Sequence, residues 1–74
     1  MEDKVLEIIN SIREAKGLSK VNTIRENNSL RKDLEFTSFD LAELTVRIED
    51  EYDIDIFEDG IIETVGEIYS KLKR

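Results

Sequence analysis

The chain contains no cysteine and no histidine. The first absence excludes disulfide staples, thiolate nucleophiles and zinc–thiolate sites, and the second removes the commonest general base and metal ligand. Little equipment for catalysis is left, and the protein is not expected to be an enzyme. Long apolar runs are missing too: none exceeds three residues, and the opening MEDKVLEIIN has neither a basic leader nor a hydrophobic stretch behind it. These features predict a soluble, cytoplasmic monomer with no membrane insertion. With 74 residues the chain makes one domain, 1–74. A domain this small buries only about 60% of its unfolded surface, too little for a deep enzymatic cleft.

What the chain has in excess is acid. Its formal charge of −7 argues against nucleic acid or an anionic membrane as partner. Between Thr37 and Glu67 eleven acids face one base, Arg47, a balance of −10, while the remaining seven acids and ten bases give +3. An acidic half of this kind suits basic protein partners, and it equally suits a solvated face that only confers solubility.

Three stretches carry helical periodicity. In EDKVLEIINSIREAKG, Val5, Ile8, Ile9 and Ile12 recur at i, i+3, i+4 and i+7 and Gly17 supplies a stop, which predicts a helix over about 2–16. In SFDLAELTVRIEDEY, Leu41, Leu44, Ile48 and Tyr52 share a core-facing stripe with Asp40, Glu43, Arg47 and Asp50 on another face, a helix over about 38–52. In TVGEIYSKLKR, Val65, Ile68, Tyr69 and Leu72 repeat the pattern over about 65–73. There Thr64 and Glu67 form a candidate capping box, and Lys71, Lys73 and Arg74 suit the negative end of the dipole.

Two connections join these helices. Residues 17–36 are too long for a turn, and Leu18, Val21, Ile24, Leu30, Leu34 and Phe36 are expected to pin them across the helices. In DIDIFEDGIIE, Ile54 and Ile56 alternate like a strand that would have nothing to pair with, so a loop with a short helical turn over about 58–62 is the better reading. The fold class that follows is all-α, a small bundle of three long helices plus one short one, with a long loop between the first two.

The stretch TSFD, residues 37–40, opens the second helix. Thr37 and Asp40 have the spacing of a helix cap, which places Ser38 in the first turn beside backbone N–H groups without helical partners. A phosphate ester on that hydroxyl would be stabilised there. A serine at a helix start is also a common feature with no role beyond capping. Locally both readings stand.

The order of features along the chain resembles the acyl carrier protein family. From residue 5 to residue 72 it runs through an amphipathic helix, a long loop, Leu34, a serine opening an acidic helix, E-x-x-Y-D-I-D-I, T-V-G-E-I and a last helix. The most specific part, LEFTSFDLAELTVRIEDEYDIDI, is similar to the family's D-S-L-D-x-x-E-L and the acidic tract after it, with Asp40, Glu43, Leu44, Glu49, Glu51, Tyr52, Ile54 and Ile56 at matching offsets from Ser38.

That resemblance implies a 4′-phosphopantetheine arm, donated by coenzyme A through a phosphopantetheinyl transferase and esterified to Ser38, so that the protein is in this sense a phosphoprotein. The arm's thiol would hold acyl or aminoacyl groups as thioesters. It also implies docking of acyl-loading, acyltransferase or synthase enzymes, through basic patches, on Phe39, Asp40, Ala42, Glu43, Val46, Arg47 and Asp50. Thr37 and Phe39 stand where the family has aspartate and leucine, Arg47 interrupts the acidic face, and FEDGIIETV is about two residues short. These departures point to a specialised carrier, in secondary metabolism, lipid modification or aminoacyl transfer, over general fatty acid biosynthesis. Two rival readings are an unmodified helical adaptor of the same fold and a calcium-binding module. The latter is suggested by Asp55-x-Phe57-x-Asp59-Gly60, although Phe57 and Gly66 fall at ligand positions.

Overall fold

A computed structural model describes residues 2–58 and 60–73. Three helices follow one another: α1 (Glu2–Ala15), α2 (Ser38–Tyr52) and α3 (Val65–Leu72). Among the described residues there is no strand, and only an isolated antiparallel bridge joins Ser29 to Thr64. The all-α class is the one the periodicity predicts.

Each helix is bounded by local chemistry. The carbonyls at the end of α1 are closed by Gly17 N–H to Glu14 (3.0 Å) and Leu18 N–H to Arg13 (2.9 Å), a paired arrangement that needs the left-handed backbone Gly17 adopts at φ +83°. This ends the regular helix at Ala15. At the other end of the chain, Thr64 caps α3 by accepting from Glu67 N–H (3.3 Å). The return bond of the expected capping box comes from the backbone of Glu63, which donates to Glu67 Oε1 (3.2 Å), while the Thr64 hydroxyl donates to the same oxygen (3.3 Å). Lys73 is the C-cap of α3; Arg74, expected to complement the same dipole, lies outside the described residues.

A fourth, short helix is expected over 58–62; Asp59 lies outside the described residues, and the described residues of that span are not helical. Asp55 instead folds the chain into a turn, its carboxylate accepting from Phe57 N–H (2.9 Å) and its carbonyl from Glu58 N–H (3.2 Å). Gly60 follows at φ +130°, a conformation that no helix continues through. Ile62 is buried and Ile61 is 85% exposed, so the segment is held as an anchored loop.

The core draws on every part of the chain. Val5, Ile9 and Ile12 of α1 meet Leu41, Leu44 and Ile48 of α2, and Val65, Ile68, Tyr69 and Leu72 of α3 join the same cluster. The connections supply the rest: Leu30, Leu34, Phe36, Ile56 and Ile62 are buried, with Val21, Ile24, Ile54 and Phe57 packed at its edge. Tyr52, expected in the core stripe of α2, is only partly buried because it is the last residue of the helix. Leu18 is likewise half-buried.

The long connection from α1 to α2 is anchored at both flanks. On one side it covers the start of α3, where Val65 and Gly66 N–H groups donate to the carbonyls of Asn28 (3.1 Å) and Glu26 (2.8 Å) and Leu30 N–H donates to Glu63 (2.8 Å). On the other side, polar residues of α1 hold it. Asn10 exchanges two hydrogen bonds with the backbone of Val21, at 2.9 and 2.8 Å. Arg13, which is buried, donates to the carbonyls of Ser19 (3.0 Å) and Leu34 (2.9 Å). Backbone carbonyls that would lose water on burial thus gain donors.

Gly66 is where two backbones come closest. A Cβ there would lie 2.9 Å from the Glu26 carbonyl oxygen, which is fixed by its bond to Gly66 N–H. Gly66→Ala is expected to lower stability by about 1–3 kcal/mol through overpacking, against a helix-propensity gain of about 1 kcal/mol that an open site would show. Urea unfolding decides the sign, and a stabilised variant would contradict the close approach.

Candidate functional site

The site is built on the junction between the long connection and α2. A tight turn precedes it: Ser29 Oγ accepts from Lys32 N–H (3.0 Å), Asp33 Oδ2 accepts from Ser29 N–H (2.6 Å), and the buried side chains of Leu30 and Leu34 root it in the core. Glu35 then takes φ +61°, a left-handed position that reverses the chain before Phe36 turns inward. The Lys16 ammonium donates to the Glu35 carbonyl and sits over the Phe36 ring, 5.9 Å from its centroid.

Thr37 is the N-cap of α2, with φ −89° and ψ 175°, and Ser38 is the first helical residue. Thr37 Oγ1 accepts from Asp40 N–H (3.2 Å), and Asp40 Oδ2 accepts from Thr37 N–H (2.8 Å) and from the Thr37 hydroxyl (3.1 Å). Both halves of the capping box are therefore made. Lys16 Nζ, from the end of α1, reaches the same Oδ2 at 2.5 Å. One carboxylate oxygen thus collects three donors.

Burial alone would raise the Asp40 pKa, but the hydrogen bonds from Lys16 and Thr37 outweigh it and hold the carboxyl below its ordinary value. Asp40 is only 6% exposed, so of the residues expected to face a partner it is the one turned inward.

Ser38 itself is exposed. Its hydroxyl lies 3.2 Å from Arg31 Nη1, which donates to it from the turn before the helix. The acceptor is free to take a substituent, because neither the cap nor the core uses it. Backbone N–H groups of the first turn and the positive end of the helix dipole face the same place. A phosphodiester at Oγ fits this site: it would be met by a cation and by N–H groups, with the Asp40 carboxylate already paired to Lys16.

The remaining expected docking residues divide clearly. Phe39 is 78% and Val46 64% exposed, and Ala42 and Asp50 are exposed as well. Phe39, Ala42 and Val46 fall at i, i+3 and i+7, so these exposed apolar groups share one face of α2. Glu43 and Arg47 are half-buried and paired, the guanidinium reaching Glu43 Oε2 at 3.1 Å and Ser11 Oγ on α1 at 2.9 Å. Arg47 is therefore held between the two helices. Glu49, Asp50 and Glu51 crowd the end of α2, where the last turn has no base to complement them.

Sequence reasoning missed Lys16 and Arg31. Both lie far from the start of α2 along the chain, and only the folded connection brings them to Asp40 and Ser38. Asp55, offered as a calcium ligand, spends a carboxylate oxygen on Phe57 N–H, and Gly66 opens α3 against Glu26; Asp59 lies outside the described residues. Among the described residues no cluster of acids is arranged to hold a metal ion. Nor, among them, is any helix long and apolar enough to cross a membrane.

A family model described as the phosphopantetheine attachment site matches residues 5–70. Neither a curated protein nor a solved structure matches the chain.

The Asp40 pairing has a signed pH consequence. A carboxyl whose folded pKa is lowered contributes stability above its unfolded value of about 3.9, and that contribution is lost as pH falls through the lower folded value. Thermal melts of wild type and Asp40→Asn between pH 2 and 7 are expected to show the variant less stable near neutrality, with the gap closing below about pH 4. A gap independent of pH would contradict the assignment.

Proposed function

Because the chain belongs to the phosphopantetheine attachment site family, the family whose members receive the 4′-phosphopantetheine prosthetic group, we propose that it is an acyl carrier protein loaded on Ser38. The observation that supports this reading best is the placement of Ser38: exposed, first in α2, and touched by a cation that the cap does not need. Loading replaces the Oγ–H bond of Ser38 by an Oγ–phosphorus bond and breaks the pyrophosphate of coenzyme A; adenosine 3′,5′-bisphosphate leaves and the hydroxyl proton passes to the transferase or to water. The arm supplies a thiol that holds a cargo as a thioester. The chain's own residues hold the serine, present it and offer a face to the enzymes that read it. Family members of this kind are in general carriers, and the absence of histidine and cysteine fits that role.

The docking face is read as Phe39, Ala42, Val46 and Asp50, with Glu43 and Arg47 fixed beside them and Asp40 supporting from below. Its acids support an electrostatic role by a simple physical argument. Glu49, Asp50 and Glu51 stand at the negative end of α2, where each opposes the helix dipole by about 0.3–1 kcal/mol. Charges that cost stability where they stand are better explained by what they attract. They steer basic patches of acyl-loading, acyltransferase or synthase enzymes and give fast, salt-sensitive, short-lived encounters. Arg47 and the Thr37-Ser38-Phe39 context favour partners of a dedicated pathway, in which the cargo is an acyl or aminoacyl group.

Intact mass tests the loading. Incubated with coenzyme A and a broad-specificity phosphopantetheinyl transferase, the protein is expected to gain one phosphopantetheinyl group and Ser38→Ala none. A wild type that stays bare with several transferases would leave the unmodified adaptor as the better reading. The docking face has its own test. Replacing Glu49, Asp50 and Glu51 by Gln, Asn and Gln is expected to raise the melting temperature by several degrees, since about 1 kcal/mol moves a domain of this size by about 4–8 °C. The same variant is expected to slow association with the transferase and flatten its salt dependence; an unchanged association rate would remove the steering role.

A further inference from the structure

Arg31 has no evident task in the fold. It is exposed, and among the described residues no carboxylate forms an ion pair with it. The other arginines with side-chain bonds do structural work: Arg13 ties down the carbonyls of Ser19 and Leu34, and Arg47 bridges Glu43 and Ser11. Arg31 spends one of its donors on the hydroxyl of Ser38. Its backbone is nevertheless well fixed, because the preceding Leu30 is buried, donates to Glu63 O (2.8 Å) and accepts from Phe36 N–H (2.9 Å). A rigid turn thus carries an unpaired cation to the one side chain proposed to be modified.

The surrounding charges leave that cation available. Asp40, the nearest acid in the helix, is neutralised by Lys16, and position 37 is a threonine, which brings no charge. Lys32 stands next to Arg31 on the rim of a shallow groove also lined by Ser29, Glu63 and Thr64. Although the chain is strongly acidic as a whole, the charged side chain that reaches Ser38 Oγ is a cation.

Resting on the reading of Ser38 as the loaded residue, we propose that Arg31 is the built-in counter-cation of the phosphodiester formed there. Once phosphorus is bonded to Oγ, two non-bridging oxygens flank that atom. A guanidinium already within 3.2 Å of Oγ reaches them by side-chain rotation alone and binds through two parallel N–H groups, the geometry that favours arginine over lysine for phosphate. The arm then leaves the protein from a fixed phosphate. Loading also gives Arg31 an ionic partner, so it stabilises the domain instead of adding to its self-repulsion.

The test compares unloaded and loaded forms of wild type, Arg31→Gln and Arg31→Lys, each checked by intact mass. Loading of the wild type is expected to shift the side-chain N–H signals of Arg31 in nitrogen-15 spectra and to raise the melting temperature by ~3 °C, a gain that shrinks in 1 M salt. In Arg31→Gln the thermal gain is expected to vanish and the phosphorus-31 signal to move, with Arg31→Lys recovering part of both. A fully loaded wild type with unmoved Arg31 signals, or an Arg31→Gln form that keeps the full thermal gain, overturns the role of Arg31 and leaves the carrier reading standing. Absence of any mass gain at Ser38 overturns both.

Discussion

One carboxylate oxygen, Oδ2 of Asp40, holds the working end of the molecule together. It receives the ammonium of Lys16 from the end of α1 and the N–H and hydroxyl of Thr37 from the start of α2. Lys16 in turn grips the carbonyl of Glu35, whose left-handed backbone sets the bend before the helix. Remove this node and three elements lose their common reference: the end of α1, the reversal at Glu35 and the first turn of α2. A charge this buried is tolerated only because its hydrogen-bonding capacity is met. Ser38 is the residue whose position depends on the node without contributing to it.

The same device recurs along α1. Asn10 and Arg13 on α1 and Lys16 just past its end fall three residues apart, and each takes hold of a different stretch downstream: Val21, then Ser19 and Leu34, then Glu35 and Asp40. A long loop with little secondary structure of its own is thereby fixed by side chains that look solvent-facing in sequence. This is also why the helices were legible and the clamp was not. The apolar spacing of Val5, Ile9 and Ile12, or of Leu41, Leu44 and Ile48, announces a buried stripe within a single window, and Thr37 with Asp40 announces a cap within four residues. Asn10, Arg13, Lys16 and Arg31 act on backbone carbonyls or hydroxyls that are distant in the chain, and no local pattern encodes such a partner. The missing short helix has the converse cause. Over 58–62 the Asp55 turn and the φ of Gly60 commit the backbone elsewhere, and Ile62 is buried by anchoring.

Charge is arranged along α2 as a gradient. At its start Asp40 is paired with Lys16 and Arg31 reaches Ser38, and its end is acidic, through Glu49, Asp50 and Glu51 followed by Asp53. The helix dipole alone would favour the opposite order. The helix thus runs against its own dipole at the C-terminal end and exposes Phe39 and Val46 on its surface, the two features on which the proposed docking face rests. The serine proposed for loading and the acids proposed for steering thus occupy different parts of one helix, with Arg47 pinning its middle to Ser11 on α1.

The central claim is that Lys16, acting through Asp40, positions Ser38 for loading. The direct measurement is the steady-state rate of phosphopantetheinyl transfer to wild type, Lys16→Met and Lys16→Arg at a temperature where all three are folded. The account predicts that kcat/KM falls about tenfold in Lys16→Met, chiefly through kcat, and is largely restored in Lys16→Arg, because a serine held off its productive geometry reacts more slowly even when it is bound. Equal rates for all three proteins would contradict it.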